Sequence, residues 1–201
     1  MCQIYGKVSG LLLGGLGTQQ YDSGEACAMA TSALISVSEY LHTTYRPDRD
    51  YVDGELKERN VGEESHAEIQ AILARMIGNR REEWQVRVLT EVRIQTSETH
   101  FRIPDVCLVP SSRPRGRIIR YAPLLCVEIL SPEDRMTMMM EKVADYAAMG
   151  ISNIWVIDPE LRVGYYASPG KLEAVSDNVL RVGGTDIEIS LVEVFGELDK
   201  N

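Results

Sequence analysis

The sequence is short of sulfur ligands, of histidine and of basic charge. Its four cysteines (Cys2, Cys27, Cys107 and Cys126) form no CxxC pair, and only three histidines stand among 201 residues. A structural zinc centre takes four closely spaced N or S ligands, so this pattern argues against one. So low a cysteine density is what a reducing compartment leaves, and a cytoplasmic location is expected. Long apolar runs are missing too. None reaches the roughly 20 residues of a membrane helix, so no membrane partner is expected. Lysine and arginine total 21 against 30 acidic residues, a formal charge of −9. That balance argues against a protein that coats nucleic acid by bulk electrostatics. It leaves room for a local basic groove, or for a cation held by clustered acids. No repeat, low-complexity tract or linker is visible.

What is present describes one folded domain. Hydrophobic residues make up 44% and charged residues 25% of the chain, enough for a single real core and too much order for global disorder. Residues 1–28 stand apart. Their apolar stretch "VSGLLLGGLG" is broken by glycines and preceded by one positive charge, Lys7. This reads as a poorly ordered N-terminal extension rather than a secretory leader. The domain then spans 29–201, with Met29 as the start it would need.

The pattern of elements is α/β. "SALISVSEYLHTTY" predicts a short amphipathic helix, and Asp53-Gly54 a hairpin turn between two short strands. "EESHAEIQAILARMIGNR" stripes Ile69, Ile72, Leu73, Met76 and Ile77 along a helix ending near Gly78-Asn79. "QVRVLTEVRIQT" alternates like one long half-buried strand, and "FRIPDVCLV" like its hairpin partner across "SETH". "LLCVEIL" reads as a central strand buried on both faces. "SPEDRMTMMMEKVADYAAMG" predicts a helix capped by Ser131, with Pro132 in its first turn and Asp134 completing a capping box. "NIWVID" and "RVGYYAS" are further strands, with Trp155 in the core, and "TDIEISLVEVF" one or two more. The order implies a mixed sheet flanked by helices.

Two acids interrupt apolar strands. Asp105 follows Pro104 in "RIPDVCLVP", and Glu128 breaks "LLCVEIL". A dehydrated carboxylate without a partner costs several kcal/mol, so each needs a reason. Alternate residues of a strand share a face, so Asp105 lies with Cys107, and Glu128 with Cys126 and Leu130. If the strands are neighbours, both acids enter one pocket. A divalent cation between them relieves their repulsion, and magnesium takes such ligands together with water. Lys142 joins them by arithmetic. The chain advances roughly 10 Å from Glu128 to Ser131 along the strand. It then returns roughly 16 Å along a helix to Lys142, at about 1.5 Å per residue. Two acids, a cation and a lysine are what phosphodiester hydrolysis uses.

At these same residues the sequence resembles the Uma2 family, also called DUF820. "YVDGELKERN", "RIPDVCLV", "LLCVEILSPEDR" and "DYAAMGISNIWVIDPE" carry the resemblance, which spans roughly 31–196. Its members are described as restriction endonucleases of the PD-(D/E)XK nuclease superfamily. The resemblance implies a restriction-endonuclease-like core and a Mg²⁺-dependent endodeoxyribonuclease, with Mn²⁺ as a substitute and 5′-phosphate products. It implies metal binding by Asp105 and Glu128, a catalytic role for Lys142, and Glu55 of "DGEL" as a candidate third acid. The expected partner is nucleic acid, DNA first, with a homodimer as the candidate assembly. Two positions depart from the pattern. Leu130 stands where the superfamily has its lysine, and Met138 where many relatives have an aspartate. They keep open the alternative reading, a catalytically silent module that binds nucleic acid or dimerises, while the retained acids favour the enzyme.

Other residues have ordinary explanations. His66 opens a helix, where a capping or surface place is usual. Cys107 and Cys126 are small buried hydrophobes. Met138, Met139 and Met140 are core and helix surface. Arg113, Arg115, Arg117 and Arg120 form a loop that either meets phosphates or is simply solvated.

Overall fold

The computed structural model describes residues 34–59, 63–132 and 135–200. The expectation for residues 1–28 therefore concerns residues outside those described. Helix α1 (Val37–His42) starts at Ser36, whose Oγ accepts the Glu39 N–H at 3.1 Å. Strands β1 (Asp50–Val52) and β2 (Glu55–Lys57) form the expected hairpin. Its turn needs positive φ at both central residues, and Asp53 (48°) and Gly54 (91°) supply it. Helix α2 (Glu64–Asn79) buries Ile69, Leu73 and Ile77.

The predicted long hairpin divides between two sheets. "QVRVLTEVRIQT" forms β3 (Val86–Thr90) and β4 (Ile94–Gln95), separated at Glu91, whose φ of 49° turns the chain out of the extended region. "FRIPDVCLV" forms β5 (His100–Arg102) and β6 (Val106–Pro110), and the three residues between, Asp105 among them, lie outside both strands. Pro104 has no N–H to give a ladder, which favours the break there. The β4–β5 pair joins the first hairpin in a four-stranded sheet, β2-β1-β5-β4.

The larger sheet is completed by β7 (Leu125–Ile129), β8 (Ile154–Asp158), β9 (Val163–Ser168) and β10 (Lys171–Ala174), in the order β10-β9-β8-β7-β6-β3. Strand β7 is buried at every position and pairs antiparallel with β6 and parallel with β8. Helix α3 (Met136–Ala148) makes the parallel crossover. It begins later than the sequence suggests. Arg135 holds the N-cap position without a side-chain cap, while Ser131 is buried before it. Asp134 of the expected capping box lies outside the described residues. The C-terminus also differs from its reading as strands. After β11 (Val179–Arg181) and β12 (Glu188–Ser190) comes helix α4 (Leu191–Leu198). Ser190 Oγ accepts the Glu193 N–H at 3.3 Å, and Leu191, Val194 and Phe195 follow helical spacing into the core.

The central sheet thus lies between two helical layers. One face carries Val106, Leu108, Leu125, Val127 and Trp155 against Ile69, Leu73 and Ile77 of α2 and Val194 and Phe195 of α4. The other carries Cys107, Val109 and Cys126 against Val143 and Tyr146 of α3. The small sheet has its own cluster, Tyr40, Tyr51 and Phe101. Among the described residues, no helix is long and apolar enough to cross a membrane.

Candidate active site

The β6–β7 ladder explains how the two acids meet. Val106 faces Val127, Cys107 faces Cys126 and Leu108 faces Leu125. One further step in this register sets Asp105 across from Glu128. Both are deeply buried, with 4% and 1% of their surfaces exposed, so each must be satisfied internally.

Asp105 is held on all sides. Its Oδ1 accepts a hydrogen bond from Arg59 Nη2 at 2.9 Å. Its Oδ2 accepts the Ile129 N–H at 2.7 Å and lies 3.2 Å from His66 Nε2. Its main-chain carbonyl accepts from Gln70 Nε2 at 2.9 Å. Burial would raise its pKa, but the His66 contact and the Lys142 and Arg59 charges reverse this and hold the carboxyl below its ordinary range. Glu128 differs. Lys142 Nζ donates to its Oε2 at 2.8 Å and the Tyr146 hydroxyl to its Oε1 at 2.5 Å. Burial nevertheless dominates over Lys142, and the Glu128 carboxyl is pushed above the usual range. For Lys142 burial works against the charge, yet attraction to Glu128, Asp50 and Asp105 more than compensates and keeps the ammonium protonated.

A second network fixes the element that carries Lys142. Arg102, 4% exposed, lies between two aspartates. Its Nε donates to Asp145 Oδ2 of α3 at 2.6 Å and its Nη1 to Asp50 Oδ2 of β1 at 3.2 Å. Asp50 Oδ1 also accepts the Ile103 N–H at 3.0 Å, two residues before Asp105. His100 extends the chain, with Nδ1 3.0 Å from Asp145 and Nε2 3.2 Å from Asp53. One guanidinium thereby ties α3 to the small sheet and to the segment that presents Asp105.

These groups line a cavity of about 420 Å³. Its wall carries five basic side chains (Lys57, Arg59, Arg102, Arg135 and Lys142) and four acidic ones (Asp50, Glu58, Asp105 and Glu128), besides His66. With His66 neutral, the wall has a formal charge of +1 inside a chain of −9. Such a wall suits an anionic ligand.

Asp105, Glu128 and Lys142 therefore come together as the sequence arithmetic requires. Glu55 does not join them. It is exposed on β2, paired with Lys57, and outside the cavity wall. Met138 lines the cavity where the resemblance led one to look for an acid. His66, read as a cap or surface residue, touches Asp105. The arginine loop lies apart, with Arg113 over the Tyr121 ring and Arg120 on Gln95. Sequence reasoning passed over Arg59, Asp50, Arg102 and Tyr146. Two signals were there: Tyr146 is one helical turn beyond Lys142, and Arg102 precedes "IPD" in a strand that ends buried.

Among the described residues no group of three or more Asp, Glu, His or Cys side chains forms a ligand cage. The donor set does not suit a structural zinc centre, which takes four protein ligands. It suits magnesium, which binds through one or two carboxylates and keeps several waters. Were such an ion bound, Asp105 and Glu128 would be the carboxylates to hold it.

Comparison with known proteins agrees with this architecture. Residues 37–174 match the model of the Uma2 family, described as "Putative restriction endonuclease". Among solved structures, the chain is similar to a DUF820 protein from Anabaena variabilis ATCC 29413, described as a putative nuclease. The two are 24% identical with a TM-score of 0.72, over 82% of this chain and 99% of that one. That likeness is one of fold. The cryoEM structure of a DrdV–DNA complex is 18% identical with a TM-score of 0.37, over 64% of this chain and 10% of that one. It is too loose to bear on fold or function. No curated protein matches the chain.

Proposed function

This chain belongs to the Uma2 family, and on that premise we propose that it is a Mg²⁺-dependent endonuclease that hydrolyses phosphodiester bonds, with DNA as the expected substrate. The observation that carries the reading is the register-opposed, buried pair Asp105 and Glu128, with Lys142 Nζ 2.8 Å from Glu128 in a net-positive cavity. Asp105 and Glu128 would hold the cation. When bound, it supplies a lower pKa for water and neutralisation of phosphate charge.

The remaining work falls to side chains. Lys142 stays an ammonium beside Glu128, so it serves as a donor and a fixed charge rather than as a proton acceptor. It orients the attacking water or meets the charge that grows on phosphorus oxygens as the 3′ oxygen leaves. Tyr146 fixes Glu128 Oε1, and the Ile129 N–H fixes Asp105 Oδ2, so both acids keep one geometry.

Plasmid nicking by purified protein in Mg²⁺ or Mn²⁺ tests the reading. Wild-type protein should nick, and Asp105→Asn and Glu128→Gln should not. A second reading rests on a specific observation: every buried acid here already has a cationic partner. A silent module that binds nucleic acid needs no more than that. Nucleic-acid binding without cleavage in either metal would favour it.

A further inference from the structure

Of the four oxygens on the acid pair, three are held by the fold itself. Glu128 Oε1 and Oε2 are held from α3, by Tyr146 and Lys142. Asp105 Oδ2 is held by the Ile129 main chain of β7 and by His66 of α2. Asp105 Oδ1 alone is held by a side chain on an irregular segment, Arg59, just past the end of β2. The Arg59 side chain is 12% exposed, and its other terminal nitrogen, Nη1, is 3.9 Å from the Glu91 carboxylate.

A dication and a guanidinium compete for one oxygen. Two positive charges beside a single carboxylate repel, so a cation at Asp105 Oδ1 displaces Arg59. A displaced guanidinium remains in a cavity shared with Lys57, Arg102, Arg135 and Lys142. Adding a dication to a wall already at +1 is favourable only if anions enter with it. A guanidinium fork fits two oxygens of a phosphodiester.

We propose that Arg59 is a substrate-phosphate ligand held in reserve by Asp105. It neutralises Oδ1 in the metal-free protein and turns to the phosphodiester when a cation takes its place. Metal and nucleic acid then bind synergistically, each removing the repulsion that opposes the other. The inference rests on the metal-dependent reading above and names a residue for it.

The sign of two effects tests this. Arg59→Met removes a competitor of the metal and a contact to the substrate. Mn²⁺ titrated alone into the protein, followed by calorimetry, should bind more tightly by about tenfold, the scale of one hydrogen bond to a charged group. Duplex DNA labelled with a fluorophore, followed by anisotropy with Ca²⁺ as the cation, should bind more weakly. The slope of log K against log salt should fall by about 0.9, the loss of one phosphate contact. A residue that only supports the fold would leave that slope alone. Unchanged or weaker Mn²⁺ binding, or an unchanged salt slope, overturns the proposal. Should the methionine variant not fold, Arg59→Lys keeps the charge and loses the fork; it should bind DNA more weakly at the wild-type slope, and wild-type affinity overturns the proposal. Asp105→Asn in the same calorimetry separates the two layers. If it leaves Mn²⁺ affinity intact, the metal reading fails; if it weakens Mn²⁺ while Arg59→Met does not strengthen it, only the role of Arg59 fails.

Discussion

Replacing Lys142 by methionine keeps the aliphatic stem in place and removes one charge. Its partner, Glu128, is 1% exposed and already pushed above the usual carboxyl range by burial. Without the ammonium, the Tyr146 hydroxyl is the one direct partner of the Glu128 carboxylate left among the described residues. Removing one partner of a buried pair costs about 3–5 kcal/mol. The Lys142 side chain is 17% exposed, so the lower end, about 3 kcal/mol, is expected. In a domain of this size that corresponds to a melting point about 6–12 °C lower. The loss depends on pH with a definite sign. The variant raises the folded-state pKa of Glu128 further above its unfolded value of about 4.3. The folded variant therefore binds the extra proton, and its deficit against wild type is smallest below the unfolded pKa. The deficit grows as pH rises through the folded one. Urea melts between pH 4 and pH 8 measure it. Glu128→Gln added to Lys142→Met removes the stranded charge and should recover most of the loss. Mn²⁺ at a hundred times its Kd should return about 2.7 kcal/mol to the single variant if Glu128 is a ligand. A loss under about 1 kcal/mol, the scale of an exposed ion pair, or a double variant no more stable than the single one, would refute the reasoning.

Asp105→Asn and Glu128→Gln should each abolish metal-dependent nicking while circular dichroism stays that of the folded protein; surviving cleavage by either pure variant removes that acid from the site. Glu55→Gln should nick at close to the wild-type rate, because the carboxylate is exposed and lies on Lys57; a loss of about 10²-fold, as for a positioned catalytic group, would restore it to the site. For His100 burial lowers the pKa, but Asp145 and Asp53 outweigh it and raise the folded value above the unfolded one. Its contribution to stability is therefore full below the unfolded pKa of about 6.5 and disappears as pH rises through the folded pKa. Melts of wild type and His100→Gln should converge toward high pH, and an NMR titration of the ring should show the raised value.

The sequence made the acids legible because they violate a pattern. Asp105 and Glu128 are charges in apolar runs, and runs are what periodicity reads best. Lys142 was legible through helix rise and strand rise alone, even though α3 begins at Met136 rather than beside Ser131. Periodicity does not show where an extended segment changes sheets. The divisions at Glu91 and Pro104 are decided by a left-handed residue and a missing donor, which leave the alternation intact on either side. Arg59, Asp50 and Arg102 were hidden for another reason. An arginine near a strand end is usually solvated, and only the fold shows that Arg102 is 4% exposed between two aspartates. The end of "TDIEISLVEVF" misled because three strand residues run into a helix without a break, and Ser190 serves both.

Placing the lysine on α3, not on β7, changes what the site tolerates in the chain. A residue on a strand is fixed by its ladder, whereas one on a helix is fixed by a count. Each residue of an α-helix turns the next by about 100°. Lys142 and Tyr146, four apart, both reach Glu128, and Met139 and Val143 on the same helix are buried. A single insertion or deletion between Met136 and Lys142 would swing the ammonium a quarter-turn or more away from Glu128, unless the buried residues were pulled from the core in exchange. A substitution at the exposed Thr137 or Glu141 changes neither. In this segment length is constrained more tightly than composition, and lineages that vary it must relocate the lysine or lose its contact with the acid.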